Sequence, residues 1–398
     1  MSIKSNPSGG LPAQKRMKKF WIIAGESSGD IYGAALAREL RRLAAAENES
    51  IEISGMGGAE MIKAGVKVKV DSTELGVIGI FEVLKSIFTF IRIFFRLLKA
   101  AAAERPDAVI LIDYPGFNLR FAKKLHKLGI PVYWYVSPQV WVWGKKRLPV
   151  LAEVCSKMLV IFPFEVEVYA QTSLRAKFVG HPLVDVISSR RDPSITRDPD
   201  TFLLLPGSRK NEIERLLIPM LDTVEALSQK HPQLKFILAA PREKIASSCR
   251  EKITAYRKKH PELPEITIEV GNTGKLQQLA GTGLAASGTV TVECALSGLP
   301  LVVGYKLNLL TLALARILVK LYRGYFTMVN IIADKEVYQE FLQWHFCKKE
   351  LLPAIEAILP GGERRDEVEK GMQMVAEELG AASGESALHR AAVEMYRD

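Results

Sequence analysis

The chain has 398 residues, 48% of them apolar and 25% charged, and a formal net charge of +10. That length holds two ordinary domains with a soluble globular balance, and the positive excess calls for an anionic partner: a phosphorylated substrate, a membrane surface or nucleic acid. Cys155, Cys249, Cys294 and Cys347 show no CxxC or metal-ligand spacing, which argues against a zinc site and for a reducing compartment.

The opening, Met1 to Lys19, is polar and basic and reads as a disordered tail over residues 1–18. The apolar run that follows is too short for a signal peptide, and Glu26 and Asp30 come at once, so the protein reads as cytoplasmic. No segment reaches the roughly 18 uncharged apolar residues of a membrane span. Strands are expected at Phe20–Gly25, Val66–Val70, Ala108–Asp113, Val132–Ser137 and Met158–Phe162, and in a second series at Phe202–Pro206, Lys235–Ala240, Ile266–Val270, Leu284–Ser287 and Leu301–Gly304. Runs of Val, Ile and Leu bounded by Gly and Pro, with helical patterns between them, predict parallel sheets buried on both faces. The fold class is α/β, with two doubly wound domains and a cleft between them. The polar stretch 187–200 is the expected linker between domains at 19–188 and 201–362, and a helical tail, 363–398, is expected to return to the first domain. Ligands in such folds bind beyond the carboxyl ends of the strands, where four motifs fall.

The first is Gly25-Glu26-Ser27-Ser28-Gly29-Asp30. Ser28 is the expected helix cap, and the carboxylates of Glu26 and Asp30 suit sugar hydroxyls rather than a pyrophosphate. The motif is not GxGxxG, so a nicotinamide cofactor is unsupported. The second is Asp113-Tyr114-Pro115-Gly116-Phe117-Asn118. Asp113, a carboxylate at a strand end, is a general-base candidate; Asn118 is expected to fix a neighbouring hydroxyl or Asp113 itself. The third, Pro206-Gly207-Ser208-Arg209, offers a guanidinium fork for phosphate oxygens, with a pairing to Glu212 as the alternative. The fourth begins at Ser287-Gly288-Thr289, at the start of a helix whose free N–H groups suit a diphosphate, with Glu293 one turn further at ribose distance.

Other segments carry weaker signals. Ser86 to Ala103 is intensely apolar, yet Lys85, Arg92, Arg96 and Lys99 are spaced 7, 4 and 3 apart and share one helical face. Phe88, Ile91, Phe94 and Phe95 are the expected lipid-facing residues of a helix lying in a membrane interface or holding acyl chains. The alternative is a core helix with a snorkelling basic edge. Leu307 to Tyr325 repeats the pattern. Trp141 and Trp143, beside Lys145, Lys146 and Arg147, read as core packing next to a basic turn, and His181 as a structural histidine.

Taken in order, AGESSGD, GVIGIFEVL, DYPGFN, YVSPQVWVW, FPFE, GHPLVD, LLPGSR, SGTVTVE and VVGY resemble the lipid-A-disaccharide synthase family from about Phe20 to Ala333. The resemblance implies two Rossmann-like domains of the GT-B type. It implies inverting transfer of 2,3-diacylglucosamine from UDP-2,3-diacylglucosamine to the membrane-embedded lipid 2,3-diacylglucosamine 1-phosphate, giving the β-1′,6-linked disaccharide 1-phosphate and UDP. No cofactor or metal is implied. The partners expected are the two substrates and an anionic inner-membrane surface, with the enzyme peripherally attached to it from the cytoplasm. Asp113 then stands as the base and Arg209 acts on the UDP phosphates; Glu26 joins them as a catalytic candidate, and Asn330 matches an asparagine of the family's pattern near the site. Family members often read DxPDFN, and Gly116 here removes the second acid, which leaves Asp113 as the base candidate. A UDP-sugar epimerase of similar fold is the alternative enzyme. Nucleic-acid binding is disfavoured because the positive charge clusters on apolar helices.

Overall fold

The computed structural model describes residues 16–72, 82–141, 144–306 and 324–397; of Ser27, residues 82–87 and Lys145 it describes the backbone alone. Most of the expected tail, Trp143, the bulk of the second basic apolar stretch and the Lys85 side chain therefore lie outside the described residues.

The chain divides into two compact units, Met1–Val179 with Leu388–Asp398, and Gly180–Ala387. The first holds a seven-stranded sheet in the order β3-β2-β1-β4-β5-β6-β7. Its strands are β1 (Lys18–Ala24), β2 (Ile51–Gly57), β3 (Lys67–Asp71), β4 (Ala108–Ile112), β5 (Val132–Tyr135), β6 (Lys157–Val160) and β7 (Ala176–Phe178). The second holds a six-stranded sheet in the order β10-β9-β8-β11-β12-β13, from β8 (Asp198–Leu205), β9 (Lys235–Ala240), β10 (Ile266–Val270), β11 (Ala280–Ala286), β12 (Leu301–Tyr305) and β13 (Gln339–Leu342). Every strand pairing is parallel. Helices on both faces explain why central strands such as β4 are buried at every residue.

In each sheet the strand order reverses once. In the first unit the reversal lies between β1 and β4, where Ala24 pairs with Ile112, so the chain after both strands emerges at one level. In the second it lies between β8 and β11, where Leu205 pairs with Ala285. Such switch points open a crevice at the carboxyl ends of the strands.

Residues 187–200 belong to the second unit, being the end of the helix Pro182–Arg190 and the start of β8. Contacts there explain it: the His181 N–H donates to the Leu379 carbonyl at 3.0 Å, and the Asp192 N–H to Gln278 Oε1 at 3.0 Å. The helix Arg365–Glu378 also lies in the second unit, while Leu388 onward joins the first. That last helix, Ala387–Tyr396, is held by Lys18 Nζ on the Tyr396 carbonyl at 2.6 Å, Tyr396 Oη on Glu49 at 2.6 Å and Arg390 Nε on the Val179 carbonyl at 3.0 Å.

Candidate active site

At the switch point of the first unit, β1 runs through Gly25 into the helix Ser27–Ala46. Glu26 occupies the N-cap position and is exposed, so Ser28, the expected cap, sits in the first turn instead. Asp30, expected on substrate, is turned inward. The residue is 7% exposed, and its carboxylate accepts from the backbone N–H groups of Gly58 (2.7 Å), Glu60 (2.9 Å) and Met61 (3.1 Å). An acid that caps the helix Ala59–Lys63 in this way has its lone pairs spent on the fold.

Asp113 follows β4 at the other side of the switch. Asp113 and Tyr114 both adopt left-handed backbone, with φ of +45° and +47°, a conformation that costs roughly 1–2 kcal/mol per non-glycine residue. The helix Pro115–Lys127 is capped by Tyr114, not by Asp113, so the carboxylate is not consumed as a helix cap. Burial, and then the negative charge of Glu26, push its pKa up to about 6. The Tyr114 hydroxyl is pushed up to about 12 by the same two causes. Gly25 is a glycine for a packing reason: a Cβ there would lie 2.2 Å from the Tyr114 ring. The far side of the ring meets Phe117 and Phe90, with centroids 6.1 Å away in each case. Gly116 is exposed, with open space where a side chain would stand.

Asn118 is fully buried. Its Nδ2 donates to the carbonyls of Asp113 at 2.7 Å and Ile112 at 3.2 Å. Of its two expected roles, a hydroxyl partner or a support for Asp113, burial leaves the second.

Sequence reasoning assigned no role to Glu165, which follows β6 and is 1% exposed. Burial pushes its carboxyl up to about 7, against the Phe162 and Ile161 backbone and the Ser137 and Trp141 side chains. The FPFE motif marked it, as an acid among aromatics. Ser137 Oγ lies 2.8 Å from Tyr169 Oη, and Trp141 packs edge-on against Phe164 at 5.1 Å, so Trp141 is a packing residue, as expected.

In the second unit, β8 ends in Pro206-Gly207-Ser208-Arg209, with Arg209 as the N-cap of the helix Lys210–Lys230. Gly207 has φ +115°, and a Cβ there would fall 2.3 Å from Glu212 Oε2. That oxygen accepts from the N–H groups of Ser208 (2.8 Å) and Arg209 (3.1 Å). The Arg209 guanidinium touches Glu212 Oε1 at 3.3 Å, yet its side chain is 71% exposed. The pairing and the availability for an anion therefore coexist. Arg242, which the sequence reading passed over, donates to the Ser208 carbonyl at 3.3 Å from the end of β9, adding a second cation to this turn.

Across the switch, β11 ends at Ala286, Ser287 and Gly288 follow, and the helix Thr289–Leu296 begins. Gly288 is exposed with open space around it, and the first N–H groups of a helix lie beyond its own ladder. Glu293 is partly buried. Burial raises its carboxyl, opposed by Gln277 and Arg190, and Gln277 Nε2 donates to it at 3.4 Å.

Asn330, expected on substrate, makes its hydrogen bonds within the fold. It is fully buried, with Nδ2 donating to the Tyr338 carbonyl (2.7 Å) and Glu340 Oε1 (2.8 Å), and Oδ1 accepting from the N–H groups of Val337 and Tyr338 (2.9 Å each). All its capacity stitches the helix Met328–Ala333 to the segment leading into β13. His181 is structural as expected, its Nδ1 accepting from the Leu183 N–H at 3.1 Å and its pKa lowered to about 3 by burial.

The helix Glu82–Glu104 has two faces. Ile93, Leu97 and Ala101 enter the core. Phe94, expected toward lipid, also packs inward, 5.5 Å from Phe117 and 5.7 Å from Phe121. Phe88 (76% exposed), Ile91 (48%) and Phe95 (59%) remain on the outside, beside the exposed Arg92, Arg96 and Lys99. Among the described residues no helix is long and apolar enough to cross a membrane, and no group of three His, Cys, Asp or Glu stands ready to hold a metal.

A family model described as lipid-A-disaccharide synthetase matches residues 20–393. The chain is 36% identical over 391 residues to a lipid-A-disaccharide synthase of Koribacter versatilis, covering 94% of this chain and 97% of that one. It is 34% identical over 367 residues to one of Myxococcus xanthus, covering 90% and 92%. Among solved structures it is similar to a UDP-GlcNAc 2-epimerase of Neisseria meningitidis bound to UDP-GlcNAc, with TM-score 0.58, 12% identity and coverage of 96% and 99%. A second is the UDP-GlcNAc 2-epimerase of Methanocaldococcus jannaschii, with TM-score 0.56, 16% identity and coverage of 90% and 98%. At such identities the likeness is one of fold, and the two Rossmann-like doubly wound sheets are of the GT-B type. With the family model spanning nearly the whole chain and relatives above 30% identity over most of it, the protein belongs to the lipid-A-disaccharide synthase family.

Proposed function

We propose that Asp113 and Arg209 carry the family's reaction in this chain: transfer of 2,3-diacylglucosamine from UDP-2,3-diacylglucosamine to 2,3-diacylglucosamine 1-phosphate, with release of UDP. The observation that carries the reading is the Asp113 carboxyl, held at a strand end with a pKa near 6. At neutral pH it is ionised, yet it is a stronger base than an ordinary carboxylate. The acceptor's 6-hydroxyl gives its proton to Asp113 as its oxygen bonds to the donor's anomeric carbon. The bond from that carbon to the diphosphate oxygen breaks, and UDP leaves with the electron pair. Attack opposite the leaving group inverts the anomeric centre. In the second unit the exposed Arg209, and the N–H groups opening the helix at Ser287, Gly288 and Thr289, suit the diphosphate. Glu293, one turn on, suits the ribose. Glu26, whose charge acts on Asp113, and Ser28 follow the strand beside that of Asp113 and suit sugar hydroxyls.

Phe88, Ile91 and Phe95 beside Arg92, Arg96 and Lys99 support docking on an anionic inner-membrane surface from the cytoplasm, where both acylated substrates reside. The reading is tested by incubating the protein with both lipids in detergent micelles. Acceptor-dependent UDP release with a new disaccharide lipid is expected. Conversion of the UDP-sugar without acceptor would favour an epimerase instead.

A further inference from the structure

We propose that Asn118 is a positioning residue for Asp113, its buried amide locking the strand-end turn in the left-handed form that sets the carboxylate's direction. The inference rests on the reading of Asp113 as base. Asp113 and Tyr114 are consecutive non-glycine residues with positive φ, and such a pair persists only where its surroundings over-determine it. Asn118 supplies that determination from within: Nδ2 bonds the carbonyls of Ile112 and Asp113, on either side of the first strained residue, and its own N–H donates to the Tyr114 carbonyl at 3.0 Å. The amide has no exposed surface with which to meet a substrate. Its Oδ1 is buried with no partner among the described residues. Only the donor half of the amide acts, and it acts on the carbonyls on either side of Asp113. From the other side, the Tyr114 ring fills the place of a Gly25 side chain. The ionisable groups facing the turn are Glu26, whose charge acts on both Asp113 and Tyr114, and the Tyr114 hydroxyl.

The test is Asn118→Leu, which keeps the branching at Cγ and removes the donors. It is assayed for acceptor-dependent UDP release against pH, with the rate expressed per folded molecule and with UDP affinity as the control. We expect kcat to fall about tenfold to a hundredfold, UDP affinity to hold within about twofold, and the acid limb of kcat to move below 6 as water reaches the released carboxylate. A folded variant with wild-type kcat and an unmoved acid limb overturns the proposal. If Asn118→Leu does not fold, Gly25→Ala disturbs the same turn from the opposite side and must give the same signature; a wild-type limb there overturns the proposal as well. Asp113→Asn separates the two readings. Near-normal turnover in it overturns the base assignment and this inference together, whereas an inactive Asp113→Asn beside an unaffected Asn118→Leu overturns this inference alone.

Discussion

Glu26 and Asp113 follow neighbouring parallel strands, β1 and β4, and the charge of Glu26 adds to burial in raising the Asp113 carboxyl to about 6. Two acids on adjacent strand ends thus have different tasks. The exposed one stays in water and acts on its neighbour through charge, and the partly buried one, the proposed base, is held at a pKa suited to neutral pH.

Asp113→Asn therefore separates activity from stability. Turnover falls by at least about a hundredfold, while UDP affinity, proposed to rest on Arg209 and the Ser287–Thr289 turn, is retained. Stability moves the other way. A carboxyl whose pKa is raised by folding costs nothing below its unfolded value of 3.8, and its cost grows as pH rises to about 6. At about 1.4 kcal/mol per pKa unit the full cost is on the order of 3 kcal/mol. Thermal unfolding of the variant should match wild type at pH 3.5 and exceed it at pH 8; equal melting at pH 8 would contradict the buried environment.

Arg209→Ala should weaken UDP binding and turnover together, with stability changed by no more than about 0.5 kcal/mol, because its side chain is 71% exposed and paired with Glu212 at the surface. Isothermal titration with UDP reads the first effect and thermal unfolding the second. Unchanged affinity would remove Arg209 from the diphosphate site.

Asp30→Ala and Asn330→Ala should fail in the opposite manner. Each orphans backbone groups at partly or fully buried positions, a loss of about 2–5 kcal/mol. Melting temperatures fall, and kcat per folded molecule stays near wild type. A loss of kcat without a loss of stability would return either residue to the list of substrate contacts.

Neighbouring phenylalanines on the helix Glu82–Glu104 should behave differently. Replacing Phe88 and Phe95 by Ser weakens sedimentation with anionic vesicles and leaves the fold intact, since both are exposed. Phe94→Ser costs about 3 kcal/mol of stability through its lost packing on Phe117 and Phe121. Vesicle binding that survives the double replacement would mean the exposed apolar stripe serves something other than a membrane.

The sequence made the central strands legible because runs such as Ala108–Ile112 are buried on both faces and so continuously apolar. It concealed β2, where Glu52, Ser54 and Gly55 interrupt the run, and the short edge strands β7 and β13, which need no apolar continuity. The strand-end motifs made the turns at the switch points legible, since glycines and small polar residues after a strand mark a turn. They did not declare which polar atoms remain free. Asp30 is spent on backbone 28 residues further along the chain, and Asn330 on a turn of its own neighbourhood; neither partner is visible in a residue pattern. Phe94 and Phe95 differ by one helical step, and only the rotation of the packed helix decides which meets the core. Glu165 escaped because burial, not sequence, makes a carboxyl unusual.

The most direct measurement is acceptor-dependent UDP release from UDP-2,3-diacylglucosamine, followed from pH 4 to 9 in wild type and Asp113→Asn. The account predicts a wild-type rate that rises with a midpoint near pH 6 and a variant rate that is low with no such limb. A variant that keeps the wild-type rate and the same limb would contradict the assignment of Asp113 as the base.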